Sequence, residues 1–264
     1  MTKFSPETTL VKKIRHLSND YHALTLGPLS RAGRCRPGHF VHVQLPKTEV
    51  YFRRPMSVAA AQPDGDEMEF IFKVLGRGTA ILAKFRKGME INILGPLGNT
   101  FGMPRKGETS LMIAGGIGFP PLLYLATEMV RQGRDPKSIE FFYGGRSSED
   151  ILERSRIKKL GVNFCPVTDD GSFGQKGLVT EAVEKYLDEN PGRKVRIYGC
   201  GPEPMLKATD ELGRRRKIPG QLSLEAPMPC GFGVCLGCVV PLRKGGHARV
   251  CQEGPVFEIG EVLL

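Results

Sequence analysis

Short runs of alternating hydrophobic and polar residues, separated by proline and glycine, fill the chain up to about residue 103. Alternation with a period of two places every second side chain on the same face of a β-strand. Closely spaced strands of this kind favour a small antiparallel barrel. The pattern predicts strands over residues 9–17, 21–26, 40–45, 56–60, 68–74 and 89–94, and a short helix over 79–85.

From about residue 109 the pattern changes to apolar strands that alternate with amphipathic helices. Alternation of strands and helices predicts a parallel α/β sheet. Strands are predicted over residues 111–114, 139–143, 162–167 and 195–198, and a hairpin nearer the end of the chain over 239–243 and 248–252. The 264 residues therefore predict a multi-module fold, with an antiparallel β-barrel (1–105), a parallel α/β nucleotide-binding domain (106–222) and a small C-terminal module (223–264).

The net charge of +10 changes this picture little, because the basic residues are scattered along the chain. Their one dense run, over residues 214–217, falls at the predicted end of a helix, where cations meet the negative end of the helix dipole. The charge thus favours anionic cofactors or an acidic partner surface over nucleic acid. No apolar run approaches the roughly 18 to 20 residues that span a bilayer, so no membrane role is expected.

Four cysteines have the spacing of metal ligands. Cys230, Cys235, Cys238 and Cys251 follow the order C-x4-C-x2-C with a fourth cysteine further on, which is the ligand spacing of a plant-type [2Fe-2S] cluster. Glycines between the first three allow a tight loop whose amide N–H groups face the sulfurs. We predict that these four cysteines are the metal ligands of an electron carrier.

Two other readings of the cysteines are weaker. Four thiolates also suit zinc, but zinc sites favour paired C-x2–4-C knuckles, and Cys251 stands alone. Disulfides fit poorly because the seven cysteines are an odd number and the N-terminal residues show no apolar signal region, which favours the reducing cytoplasm. Cys35 and Cys165 are expected to be buried or half-buried thiols without chemistry.

The barrel sequence contains candidate anion-binding motifs. An Arg-Pro-Met-Ser segment begins at Arg54, and the glycine-rich turn at residues 76–79 leads into the predicted short helix, whose free amides would attract a phosphate. In this order the motifs resemble the FAD-binding barrel of the ferredoxin reductase superfamily. The resemblance implies that FAD is held by Arg54, Pro55, Met56, Ser57, Gly78 and Thr79, and flanked by Ile71, Phe72 and Lys73.

The first strand of the α/β domain ends in a glycine-rich loop that contains Gly115, Gly116 and Gly118 and leads into a helix, an arrangement that admits a diphosphate. It departs from G-x-G-x-x-G because its sixth position is proline, but it is similar to the loop of ferredoxin-reductase nucleotide domains. That resemblance also places the Cys-Gly-Pro segment, Cys200, Gly201 and Pro202, near the nicotinamide of NAD, with NADP possible. Arg146 fits an NADP 2′-phosphate or a surface position equally well.

Across essentially its whole length, the chain resembles the electron-transfer subunits of the NAD-linked, two-subunit dihydroorotate dehydrogenases. The resemblance implies an FMN-containing catalytic partner that oxidises dihydroorotate for pyrimidine biosynthesis, and a relay to NAD through the cluster and FAD. The sequence itself shows no acid–base constellation for that substrate, so no catalytic side chain is expected here. Alternatives are a subunit of a ferredoxin:NADP oxidoreductase, sulfide dehydrogenase or hydrogenase, and a zinc-binding or redox-sensing module.

Overall fold

The computed structural model describes residues 5–46 and 50–264. Its first part is a closed barrel with strand order β1-β2-β5-β4-β3-β6, in which every neighbouring pair is antiparallel. The strands are β1 (Pro6–Ser18), β2 (Tyr21–Gly27), β3 (Phe40–Gln44), β4 (Arg54–Ala61), β5 (Met68–Lys73) and β6 (Glu90–Leu97). The predicted barrel is confirmed, and the short helix α1 (Arg77–Leu82) begins and ends slightly earlier than predicted.

The second part is a parallel sheet with strand order β10-β9-β8-β7-β11-β12. Its strands are β7 (Thr109–Gly115), β8 (Ile139–Gly145), β9 (Asn163–Thr168), β10 (Gln175–Lys176), β11 (Val195–Cys200) and β12 (Gly220–Ser223). The helices between them are α2 (Phe119–Arg131), α3 (Arg154–Lys159), α4 (Val179–Glu189) and α5 (Glu203–Arg216). The basic run ends α5 as predicted, with Lys217 in a left-handed conformation.

The C-terminal module is not separate from this sheet. Its first two strands, β13 (Val239–Pro241) and β14 (His247–Arg249), form a hairpin, and its last strand, β15 (Val256–Glu258), pairs antiparallel with β12 as the seventh strand of the sheet. Asn99, just after the barrel, bonds to the backbone N–H and C=O of Val256 at 2.9 and 2.7 Å. The module is thereby held against both other parts.

Apolar packing also joins the three parts. Tyr21 and Ile71 of the barrel share a buried cluster with Phe119 and Leu122 of α2. A second shared cluster contains Phe40, Leu94 and Leu97 of the barrel together with Met228, Cys238 and Cys251 of the C-terminal module. Because protein interiors are close-packed, these clusters fix the relative positions of the loops between them. No helix within residues 5–46 and 50–264 is long and apolar enough to cross a membrane.

Candidate functional site

A cavity of about 440 Å³ lies where the three parts of the chain meet. Strands β4 and β5 form its barrel side, the loop before α2 forms a second side, and the segment after β12 forms a third. The structure brings nearly all predicted FAD residues to this one wall, namely Arg54, Pro55, Met56, Ser57, Ile71, Phe72, Lys73 and Thr79. The ninth, Gly78, lines an adjoining cavity.

This adjoining cavity, of about 530 Å³, shares the lining residues Arg54, Leu75 and Thr79 with the first. Gly78 is required there by a close approach, because an added Cβ would lie 2.5 Å from Nε of Arg54. The Thr79 hydroxyl closes the turn before α1, where it accepts hydrogen bonds from the N–H groups of Leu75 at 2.9 Å and Gly76 at 3.2 Å. Two neighbouring cavities that share an arginine suit a long cofactor with a central diphosphate.

The predicted nucleotide loop also forms as expected, between β7 and α2. Gly116 has φ +49°, and the position of its missing Cβ is open. Gly118 is different, because an added Cβ would lie 2.3 Å from the carbonyl oxygen of Cys200. An added Cβ at Gly115 would likewise lie 2.8 Å from Cδ of Pro202. The glycine loop and the Cys-Gly-Pro segment therefore pack backbone against backbone at the carboxyl ends of β7 and β11, where ligands of open α/β sheets bind.

Cys200 connects the nucleotide loop with the main cavity. Its side chain is buried, and together with Ile117 and Pro120 it lines the wall that faces the predicted FAD residues. Burial raises the pKa of the Cys200 thiol far above its ordinary value, so the group stays protonated and uncharged. In this cavity Cys200, which is predicted for NAD, thus faces the residues predicted for FAD.

The structure adds cavity residues that the sequence pattern did not single out: Phe40, Ile117, Pro120, Ser223, Leu224, Glu225, Ala226, Pro227, Met228 and Pro255. Five of them, residues 224–228, directly follow β12, a parallel strand of only four residues that the sequence pattern did not predict. These residues could have been predicted only from the position of β12 in the sheet, since residues beyond the carboxyl end of such a strand face the ligand. Glu225 keeps much of its side chain open to the cavity, and desolvation by the surrounding wall raises its pKa.

The four predicted ligand cysteines lie near one another in two pairs. The Sγ atoms of Cys238 and Cys251 are 3.3 Å apart, and both residues are buried. Cys230 and Cys235 form the second pair, whose side chains lie close enough to interact, and Cys235 is exposed. Two pairs of thiolates suit a [2Fe-2S] cluster, in which each iron takes two.

The loop between these cysteines stabilises negative charge on the sulfur atoms. Gly231 and Gly233 both have φ +80°, which only glycine adopts without strain. Although burial opposes ionisation, N–H groups of Cys235, Phe232 and Val234 lower the pKa of Cys230 to about 6. The N–H of Gly237 points at Sγ of Cys235 at 3.4 Å. In the described part of the chain, no three His, Cys, Asp or Glu side chains converge as they would on a single metal ion.

The remaining predicted residues lie outside the site. Burial raises the pKa of Cys35 to about 12 and that of Cys165 to about 11, and the two are buried and half-buried respectively, as predicted. Arg146 is exposed at the end of β8, and its backbone N–H donates to Asp150 at 3.0 Å. The position of Arg146 therefore favours neither the NADP 2′-phosphate site nor a simple surface role.

The barrel, the nucleotide-binding sheet and the cysteine module define an NAD-linked oxidoreductase of the ferredoxin reductase type, with FAD and a [2Fe-2S] cluster as cofactors. Residues 112–211 match the model of the oxidoreductase NAD-binding domain, and residues 225–263 match that of the iron-sulfur cluster binding domain of dihydroorotate dehydrogenase B.

Relatives and solved structures agree with this class. The chain is 36% identical to the dihydroorotate dehydrogenase B (NAD(+)) electron transfer subunit of Shouchella clausii, with 100% of both chains covered, and 39% identical to that of Lysinibacillus sphaericus, over 86% of this chain and 87% of that one. A solved NADH-dependent reduced ferredoxin-NADP oxidoreductase superposes with a TM-score of 0.86 at 27% identity, covering 97% of this chain and 89% of that one. The chain belongs to the family of dihydroorotate dehydrogenase B electron-transfer subunits.

Proposed function

We propose that this chain relays electrons between NAD and an FMN-containing partner subunit that oxidises dihydroorotate, through its own [2Fe-2S] cluster and FAD. One observation carries the proposal: Phe40 and Met228 line the cavity and pack in the same buried cluster as Cys238 and Cys251. The flavin site and the iron site are therefore separated by packed side chains and not by solvent. FAD, when bound, exchanges hydride with a nicotinamide and single electrons with a cluster.

The side chains of this chain bind and orient the cofactors in this proposal. Arg54 holds the FAD diphosphate, while Ile71 and Phe72 supply an apolar wall for the ring system. The backbone contact between Gly118 and Cys200 sets the depth at which a nicotinamide enters the same cavity. The uncharged Cys200 thiol excludes water from that entrance without adding charge.

The proposed partner surface is the exposed part of the cysteine loop. Val234, Leu236 and Phe232 are 74%, 61% and 41% exposed, although all three are apolar. Clustered exposed apolar side chains mark interaction surfaces in many proteins. They surround Cys235, the exposed ligand of the predicted cluster. A partner that covered them would bring its own redox group close to this iron.

Reconstitution tests the proposed function. The chain is produced anaerobically together with the dihydroorotate-oxidising subunit of the same cell, and dihydroorotate-dependent formation of NADH is measured. The proposal predicts a stable complex with this activity, and Cys235→Ser should remove the activity while leaving FAD bound. Absence of a complex, or equal activity in Cys235→Ser, contradicts the relay.

A second candidate function rests on the superposition with the NADH-dependent reduced ferredoxin-NADP oxidoreductase, which covers 97% of this chain. A subunit of that type would exchange electrons with reduced ferredoxin. The same preparation distinguishes the two candidates: reduction of the flavin by ferredoxin, together with no activity toward dihydroorotate, would favour the second.

The proposal also includes the domain limits at 1–105, 106–222 and 223–264 and a location in the cytoplasm. The limits are supported by β6, which ends at Leu97, and β7, which begins at Thr109. Limited proteolysis should cut between these strands. The location is supported by the odd number of seven cysteines, since free thiols persist in reducing compartments. Cell fractionation tests it.

A further inference from the structure

His42 is a fully buried histidine whose two ring nitrogens have no hydrogen-bond partner among the residues that the structure describes. A buried polar group without a partner is destabilising, so such groups are rare in folded proteins. Burial, together with the neighbouring charges of Arg53 and Arg54, lowers the pKa of His42 to about 4. The ring is therefore neutral, with one N–H donor and one acceptor nitrogen.

The side chain of His42 lies on the outer face of the barrel. Along β3, Val41 and Val43 belong to the apolar core inside the barrel. Since alternate residues of a strand face opposite sides, Phe40 and His42 face outward, where Phe40 packs with the C-terminal module. The centres of these two rings are 5.7 Å apart.

The surface that covers His42 is the cysteine loop itself. A Cβ added to Gly231 would lie 2.6 Å from Cε1, 2.7 Å from Nδ1 and 2.9 Å from Nε2 of His42. The near-equal distances place Gly231, the residue that follows Cys230, over the face of the ring, so it does not block the in-plane directions in which the two nitrogens bond. Gly231 has φ +80° and no side chain, which permits this approach.

We propose that His42 is a positioning residue for the iron-sulfur centre and donates its one N–H to a sulfur of the bound cluster. The inference rests on the proposed function, because it requires a cluster in the cysteine loop. A sulfur acceptor supplies the partner that the described residues lack. The bond strengthens when the cluster takes up an electron, because the sulfurs become more negative. His42 therefore raises the reduction potential of the cluster.

Redox titration of the cluster by electron paramagnetic resonance, with the flavin potential and the iron and FAD contents measured on the same samples, tests this role. His42→Phe keeps the ring shape and removes the N–H, whereas His42→Gln and His42→Asn each restore one amide donor. We expect His42→Phe to lower the equilibrium constant for reduction of the cluster about tenfold. For a one-electron couple this corresponds to a reduction potential lower by about 59 mV. At least one amide variant should recover half of that change, and the flavin potential should not move.

His247→Gln is the matched control, because His247 is an exposed histidine between the third and fourth cysteines. Its cluster potential should equal that of the unsubstituted protein. An unchanged potential in His42→Phe, or equal shifts in the Phe, Gln and Asn variants, would overturn the inference. A protein that binds no iron under any condition would instead overturn the proposed function.

A second measurement covers the case in which His42→Phe fails to assemble a cluster. The His247→Gln protein is labelled with ¹⁵N-histidine, and its reduced cluster is studied by pulsed electron paramagnetic resonance. A histidine nitrogen coupled to the cluster, with an exchangeable proton, is the expected result. Absence of that coupling would show that the imidazole does not reach the cluster, and the inference would be wrong.

Discussion

Substitution of Gly118 by alanine tests the contact that joins the two predicted halves of the nucleotide site. The added Cβ would lie 2.3 Å from O, 2.5 Å from C of Cys200 and 2.5 Å from N of Gly201. All three atoms belong to the backbone, so rotation of a side chain cannot relieve the clash. The Cys-Gly-Pro segment must move by about an ångström, because ordinary contacts of this kind need more than 3.4 Å.

The expected magnitude follows from this displacement. Inserting a methyl group into a packed region costs typically about 1–3 kcal/mol. For domains of about 150–250 residues, each kcal/mol lowers Tm by about 2–4 °C, so we expect a decrease of about 2–12 °C. The same movement should weaken NADH binding, and a loss of 1.4 kcal/mol in binding free energy corresponds to a tenfold increase in Kd.

Calorimetry of the FAD-loaded protein and a titration with NADH measure these two quantities. Gly102→Ala is the matched control, because a Cβ there would meet only Gln221 at an ordinary distance of 3.6 Å. Its Tm and Kd should stay close to those of the unsubstituted protein. If Gly118→Ala matched Gly102→Ala in both quantities, the assignment of this contact to the nucleotide site would be refuted.

Three further changes have definite expected results. Arg54→Gln should weaken FAD binding about tenfold to a hundredfold, measured as FAD released on dilution, because charge-assisted hydrogen bonds contribute about 1.5–3 kcal/mol. Asp150→Asn removes the charge that lies 3.7 Å from Nζ of Lys73 and should lower Tm by about 2–4 °C in calorimetry, the effect of about 1 kcal/mol. Val234→Asp should weaken partner binding at least tenfold in a calorimetric titration, since a charge would be buried in the proposed interface. Leu178→Asp is the control, because Leu178 is exposed on the α/β domain, and it should leave partner binding unchanged.

Much of the fold could be predicted from the sequence, because strand and helix periodicity depends on local pattern. The barrel strands and β7, β8, β9 and β11 of the parallel sheet were placed within a few residues, whereas the short strands β10 and β12 were not predicted. Strand β15 was missed, since its three residues carry too little pattern and its pairing with β12 depends on the fold of the whole chain. This pairing also makes the C-terminal module part of the nucleotide-binding sheet.

The residues of the candidate site also fall into two groups, those that the sequence identified and those that it missed. Arg54 was predicted for FAD from the family resemblance and the four cysteines were predicted for the cluster from their spacing, because both lie in recognisable motifs. Glu225 and Met228 follow an inconspicuous strand, and only the tertiary structure brings them to the cavity. No sequence motif singles out His42, because the alternation of β3 shows which face it occupies but not what covers that face.

Anaerobic titration with NADH, followed by flavin absorbance and by electron paramagnetic resonance of the cluster, tests the relay most directly. NADH should reduce both centres in the unsubstituted protein, and only the flavin in Cys235→Ser. A colourless protein that holds stoichiometric zinc, or a flavin that NADH reduces while an intact cluster stays oxidised at every NADH to NAD⁺ ratio, would contradict it.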